Sequence, residues 1–164
     1  MPKSLKSHFA LLLVKPDGTE FEKDIRDYLQ KQDFLLVYPT PVRRRLNYEE
    51  AEQIYIGFTK NLNWNSKVYL SYLTSMDSIV MLLEYPHKKA QTSLKELVGD
   101  MNPEEANKRT LRHMLKEKIR NRFGTLEIDG SYLNGVHAAD TAERAAEEAI
   151  ILLGEKDARI FVTE

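Results

Sequence analysis

Two stretches of this chain, Phe9-Ala10-Leu11-Leu12-Leu13-Val14 and Ile79-Val80-Met81-Leu82-Leu83, are apolar at every position. A strand with one wet face alternates apolar and polar residues, whereas an unbroken run of this kind is buried on both faces. The chain is therefore committed to a sheet covered on each side, and the segments between the runs must supply the cover. Phe21, Ile25, Tyr28 and Leu29 recur at helical spacing, as do Ala51, Ile54, Tyr55 and Phe58, then Leu111, Leu115, Ile119 and Phe123. Thr19 with Glu22, Asn47 with Glu50 and Asp140 with Glu143 read as helix starts of the capping-box kind. Pro86 and Gly99 bracket another helix, and an Ala-rich helix runs to Leu153 before Gly154. Phe34 to Tyr38 is a further strand, stopped by Pro39 and Pro41; Leu133 to Val136 is a short one, and Arg159 to Val162 an optional edge.

This alternation predicts an α/β (α+β) fold: a ferredoxin-like, split βαβ sheet of about four strands covered by helices. The 164 residues suit a single domain over 1–164, and 42% hydrophobic residues suffice for its core. Lys and Arg number 24 against 25 Asp and Glu. That balance excludes a protein that coats nucleic acid or an anionic membrane by bulk charge, but not a local anion site. The absence of cysteine removes disulfides, thiolate nucleophiles and Cys-ligated metals. No stretch approaches the roughly 20 apolar residues of a spanning helix, so a soluble, cytoplasmic protein is expected. With no HxxxH or HxH pair, a protein-held metal is not expected. The triplet Arg43-Arg44-Arg45 reads as a solvated strand end rather than a nucleic-acid patch.

Two places carry candidate chemistry. In Val14-Lys15-Pro16-Asp17-Gly18 a lysine ends a buried strand at a rigid turn, which aims its ammonium at one spot where it can neutralise phosphate. The alternative is a snorkelling lysine beside an ordinary turn. In Asn134-Gly135-Val136-His137-Ala138-Ala139-Asp140 a histidine falls between a short strand and a helix start, where backbone N–H groups favour anions. A neutral imidazole there can act as nucleophile or proton carrier; alone in a turn, it can equally be structural. Glu148 follows on the same helix and can hold the ring.

Together, Lys15-Pro16-Asp17-Gly18 and Asn134-x-x-His137-x-x-Asp140-Thr141 resemble the nucleoside diphosphate kinase family, with the likeness extending from about Phe9 to Leu153. The resemblance implies a phosphotransferase. His137 would take the γ-phosphate of ATP or another nucleoside triphosphate and pass it to a diphosphate in a ping-pong cycle, with Mg2+ carried on the nucleotide phosphates. It implies that Glu148 orients His137 and that Lys15 and Asn134 contact the ribose 3′ hydroxyl and the transferring phosphate. Arg112 and Lys95 would bind phosphate, Lys95 standing where the family has arginine, and Tyr55 would pack beside His137. Trp64 is the nearest candidate for the base-stacking aromatic. Asn102-Pro103 sets the register of this region. The family assembles into homo-oligomers, but the segment between Arg112 and Asn134 is longer than usual, so its trimers and hexamers do not carry over directly. Met101 stands in place of a phosphate-binding threonine and Ala139 in place of a serine. These departures motivate the alternative, a catalytically weak or inactive nucleotide-binding or scaffold domain of the same fold. A ferredoxin-like RNA-binding domain is disfavoured, because the run Ile79 to Leu83 has no sheet-face aromatics.

Overall fold

The computed structural model describes residues 2–38, 41–55 and 66–164. The elements follow in the order β1 (Phe9–Val14), α1 (Glu22–Lys31), β2 (Leu35–Leu36), β3 (Val42–Arg44), α2 (Tyr48–Ile54), α3 (Ser66–Ser75) and β4 (Ser78–Glu84). Then come α4 (Ala90–Val98), α5 (Leu111–Phe123), β5 (Glu127–Ile128), β6 (Ser131–Tyr132), β7 (Val136–His137), α6 (Ala142–Leu153) and α7 (Glu155–Ala158). The two apolar runs lie side by side: β1 pairs antiparallel with β4 from Phe9↔Glu84 to Val14↔Ile79. The sheet order is β2-β4-β1-β7, with β3 also on β4. In this split βαβ sheet β4 sits between β1 and β2, and β1 between β4 and β7.

Both faces are covered, as the unbroken apolar runs require. Leu11, Leu13, Val80 and Leu82 face a layer containing residues of α2, α3 and α6. Ala10, Leu12, Val14, Ile79, Met81 and Leu83 face the other layer, with residues of α1, α4 and α5. Every β1 residue after Phe9 is buried. Each buried Leu or Val contributes roughly 1.5–3 kcal/mol relative to exposure, which makes this strand pair the main apolar anchor of the fold.

Several local expectations shift. The edge strand after α1 is in two pieces, since Leu36 faces Leu83 while Val42 faces Val80. Six residue steps on one side thus answer three on the other, across the segment containing Pro39 and Pro41. The capping box at Asn47 and Glu50 forms. That of Thr19 and Glu22 does not, and the Thr19 hydroxyl bonds instead to the Pro16 carbonyl. The cap of α6 is Thr141 rather than Asp140. The last sheet strand is Val136–His137, while the C-terminal segment makes one bridge, Leu5↔Val162, away from the main sheet. Among the described residues, no helix is long and apolar enough to cross a membrane.

Candidate functional site

The turn after β1 and the loop into β7 are joined through their backbones. β7 pairs with the end of β1 at Leu13↔His137 and Val14↔Val136. The ladder continues one step further, the Lys15 N–H donating to the Gly135 carbonyl at 2.9 Å. In return the Gly135 N–H donates to Oδ2 of Asp17 at 2.7 Å, and the Tyr72 hydroxyl of α3 donates to Oδ1 at 2.6 Å. Asp17 is buried, so its carboxylate is held by donors rather than by water. Lys15 and His137 therefore share one end of the sheet because β1 ends where the short, antiparallel β7 begins.

His137 is buried, and its Nε2 lies 2.9 and 3.1 Å from the two oxygens of Glu148 on α6. An ionised carboxylate accepts from Nε2–H, which leaves Nδ1 with its lone pair free. The Tyr55 ring, at the end of α2, lies 4.9 Å from the imidazole. Tyr69 of α3 meets Tyr55 edge-on at 5.5 Å. Burial, then Tyr69 and Glu148, push the Tyr55 hydroxyl well above its ordinary pKa, so it stays neutral. The fully buried Lys15 ammonium donates to the Tyr69 hydroxyl at 2.8 Å and approaches the Tyr132 carbonyl at 3.5 Å.

The remaining candidates converge from other elements. Arg112 on α5 donates to the carbonyls of Gly99 and Val136, each at 2.9 Å, the second next to His137. Its Nε is buried with no partner among the described residues, and burial lowers its pKa from the usual guanidinium value. Asn134 donates to the Met101 carbonyl at 2.8 Å, while its buried Oδ1 has no partner among the described residues. Unpaired buried polar atoms are costly, so a polar ligand that engages them recovers that cost. Lys95 of α4 bonds to the Ala138 carbonyl at 3.1 Å and to Asp140 at 3.0 Å, which sets it against the loop just after His137. Trp64 lies outside the described residues. The side chain of Met101 is about half exposed beside this cluster.

Three residues escaped the sequence reading. Asp17 passes for a turn residue, although its carboxylate joins three elements. Gln91 ties the sheet to the histidine loop, accepting from the Leu11 N–H and donating to the Ala139 carbonyl. Arg144 lies four residues before Glu148, and that helical spacing was its available signal. Its Nε is 3.6 Å from Oε1 of Glu148, and its fork caps the end of α2 at the Gln53 and Ile54 carbonyls.

Cations and an amide gathered round an imidazole whose Nε2 is held by a carboxylate suit a phosphoryl group. Fold and site together describe an α/β domain that handles phosphate. Residues 9–158 match the family model described as nucleoside diphosphate kinase. The nucleoside diphosphate kinase of Oleidesulfovibrio alaskensis is 30% identical over 138 residues, covering 83% of this chain and 86% of its own. That of Persephonella marina is 29% identical over 140 residues, covering 84% and 87%. Among solved structures, the Aquifex aeolicus nucleoside diphosphate kinase superposes with a TM-score of 0.63 at 24% identity, over 88% of this chain and 94% of that one. The Pyrobaculum aerophilum NDP kinase gives 0.69 at 18% identity, over 93% and 98%. This chain belongs to the nucleoside diphosphate kinase family.

Proposed function

We infer that the chain transfers the γ-phosphate of nucleoside triphosphates to nucleoside diphosphates through a phosphohistidine at Nδ1 of His137. The carrying observation is the Glu148 carboxylate on Nε2: it takes up the ring's proton-bearing nitrogen and leaves the other one nucleophilic. The Nδ1 lone pair attacks the γ-phosphorus, the bond to the β-phosphate oxygen breaks, and the nucleoside diphosphate leaves. The ring keeps its Nε2–H, and Glu148 offsets the positive charge that the phosphorylated imidazole gains. A β-phosphate oxygen of the next diphosphate then attacks the same phosphorus and breaks the N–P bond.

Phosphoryl transfer depends mainly on positioning and electrostatic stabilisation. In this reading Lys15, Lys95 and Arg112 balance the charge of the transferring group, Asn134 positions it, and Tyr55 braces the imidazole. Trp64 is the assigned base-stacking residue. Magnesium enters as part of the substrate, on the nucleotide phosphates. The site fits that role: its carboxylates are taken up by protein groups, Asp17 by Gly135 and Tyr72, Asp140 by Lys95 and Glu148 by His137. Residues 1–164 act as one such unit, working as a homo-oligomer in the cytoplasm on soluble nucleotides, without nucleic acid or membrane.

The test is to mix the protein with γ-labelled ATP and magnesium and look for acid-labile label that leaves when a nucleoside diphosphate is added. His137→Ala should abolish both steps while keeping nucleotide affinity within about tenfold, roughly 1.4 kcal/mol. Nucleotide binding without label in the unmutated protein would refute this reading and establish a binding domain instead.

A further inference from the structure

The Glu148 carboxylate serves two partners, and only one of them is the histidine. Oε1 lies 2.9 Å from Nε2 of His137 and 3.6 Å from Nε of Arg144. Glu148 is almost fully buried and Arg144 about one-third exposed, so the guanidinium spans from the dry interior to the surface. Its Nη2 donates to the Ile54 carbonyl at 3.1 Å and also bonds to that of Gln53. The following residue is Tyr55, the ring that packs on His137. One side chain thus touches the carboxylate behind the imidazole and the helix end that carries its neighbour. Residue 139, beside the histidine, is alanine and offers no hydroxyl to Glu148.

We propose that Arg144 is a positioning residue for phosphoryl transfer, keeping Glu148 ionised so that it accepts from Nε2 of His137 and leaves Nδ1 free to attack. A carboxylate this deep loses most of its hydration, and burial alone favours its neutral form. A neutral carboxyl would donate to Nε2 and drive the ring proton onto Nδ1, the nitrogen that must attack. The fixed charge of Arg144 opposes that change, because a guanidinium stays protonated throughout the working pH range. The inference rests on the assignment of His137 as phosphate carrier.

Other charged and titratable groups share the surroundings of the pair. Tyr55 of α2 and Tyr69 of α3 stay on the imidazole side, with Lys15 of β1 against Tyr69. Arg112 of α5 and Lys95 of α4 approach the backbone on either side of His137, with Asp140 on Lys95. Glu147 on α6 pairs with Arg144 from the solvent side. Among the described residues, Arg144 is the Lys or Arg that pairs with Glu148.

The experiment follows phosphoenzyme formation from γ-labelled ATP and magnesium between pH 5 and 9 in the unmutated protein, Arg144→Gln and Arg144→Lys. Removing a fixed positive charge makes both members of the pair hold protons more tightly. The acid limb of the Arg144→Gln profile should therefore move to higher pH than that of the unmutated protein. Arg144→Lys keeps the charge and should keep the limb, even if the lost carbonyl contacts lower the rate. A uniform drop at every pH in Arg144→Gln, or a shifted limb in Arg144→Lys, would show that Arg144 only clamps α2. A readout that needs no phosphorylation is carbon and nitrogen NMR of the unmutated protein and of Arg144→Gln. At pH 7 Glu148 should be a carboxylate and His137 should carry its proton on Nε2; a protonated Glu148 overturns the proposal. Failure of the unmutated protein to take label would instead refute the role of His137, whereas a Glu148 titration that is the same in the unmutated protein and in Arg144→Gln would refute the Arg144–Glu148 coupling.

Discussion

Gly18 closes the turn after Lys15, and no side chain fits there. A Cβ added to it would sit 2.3 Å from the Gly135 carbonyl oxygen and 3.0 Å from its carbon. The backbone is not the obstacle, since Gly18 has φ −103° and ψ −14°, angles that alanine adopts freely. The whole penalty of Gly18→Ala therefore comes from contact with another backbone. Carbon and oxygen need about 3.2 Å, so turn and loop must part by roughly 1 Å. The Gly135 carbonyl already accepts from Lys15 N–H, so that bond and the Gly135 N–H bond to Asp17 are both strained. Overpacking of this kind costs about 1–3 kcal/mol, or about 3–10 °C in Tm for a chain of this size. The same displacement moves His137 relative to Lys15, and a 1 Å misplacement can cost about 100-fold in rate. Calorimetry and single-turnover phosphorylation measure the two effects. Gly124→Ala serves as control: its φ of +75° strains any side chain, but nothing lies within 4 Å of the added carbon. It should lose about 1 kcal/mol of stability and keep the transfer rate. If Gly18→Ala matched the unmutated protein in both Tm and rate, the joining of turn and loop would not matter as argued.

Arg112→Ala should lower turnover by a similar factor for every nucleotide, because its fork is held against the backbone next to His137, where it would act on the transferring phosphate common to all of them; a loss confined to one base in steady-state assays would refute that role. Lys95→Arg should keep turnover within about tenfold or raise it, since a guanidinium offers phosphate a fork in place of a point charge. Loss of transfer with an intact circular dichroism spectrum would contradict this placement. Glu148→Gln should slow phosphorylation without eliminating it, because it removes charge and orientation but leaves the nucleophile. Complete loss with His137 intact in NMR spectra would show that Glu148 does more than hold the ring.

The parts of this protein legible in its residues alone are those settled over a few positions of chain. Phe9–Val14 and Ile79–Leu83 announce strands buried on both faces because nothing polar interrupts them. The Asn47–Glu50 cap forms because its donors and acceptors are three residues apart and meet whatever the rest of the chain does. His137, Lys15 and Glu148 are legible as a candidate site because their residue types and neighbours form a motif, and folding brings His137 and Glu148 into contact. The exact capping residue is not legible: Thr141 starts α6, and Asp140 beside it pairs with Lys95 from another helix. The same holds for Asp17, whose partners Tyr72 and Gly135 lie 55 and 118 residues away. Which carboxylate neutralises which cation, and which carbonyl blocks which Cβ, depends on where distant segments stop against one another. Such contacts have no periodicity and no fixed spacing, so folding alone brings Gly18 to Gly135, and only the packed helices put Arg144 between Glu148 and the end of α2.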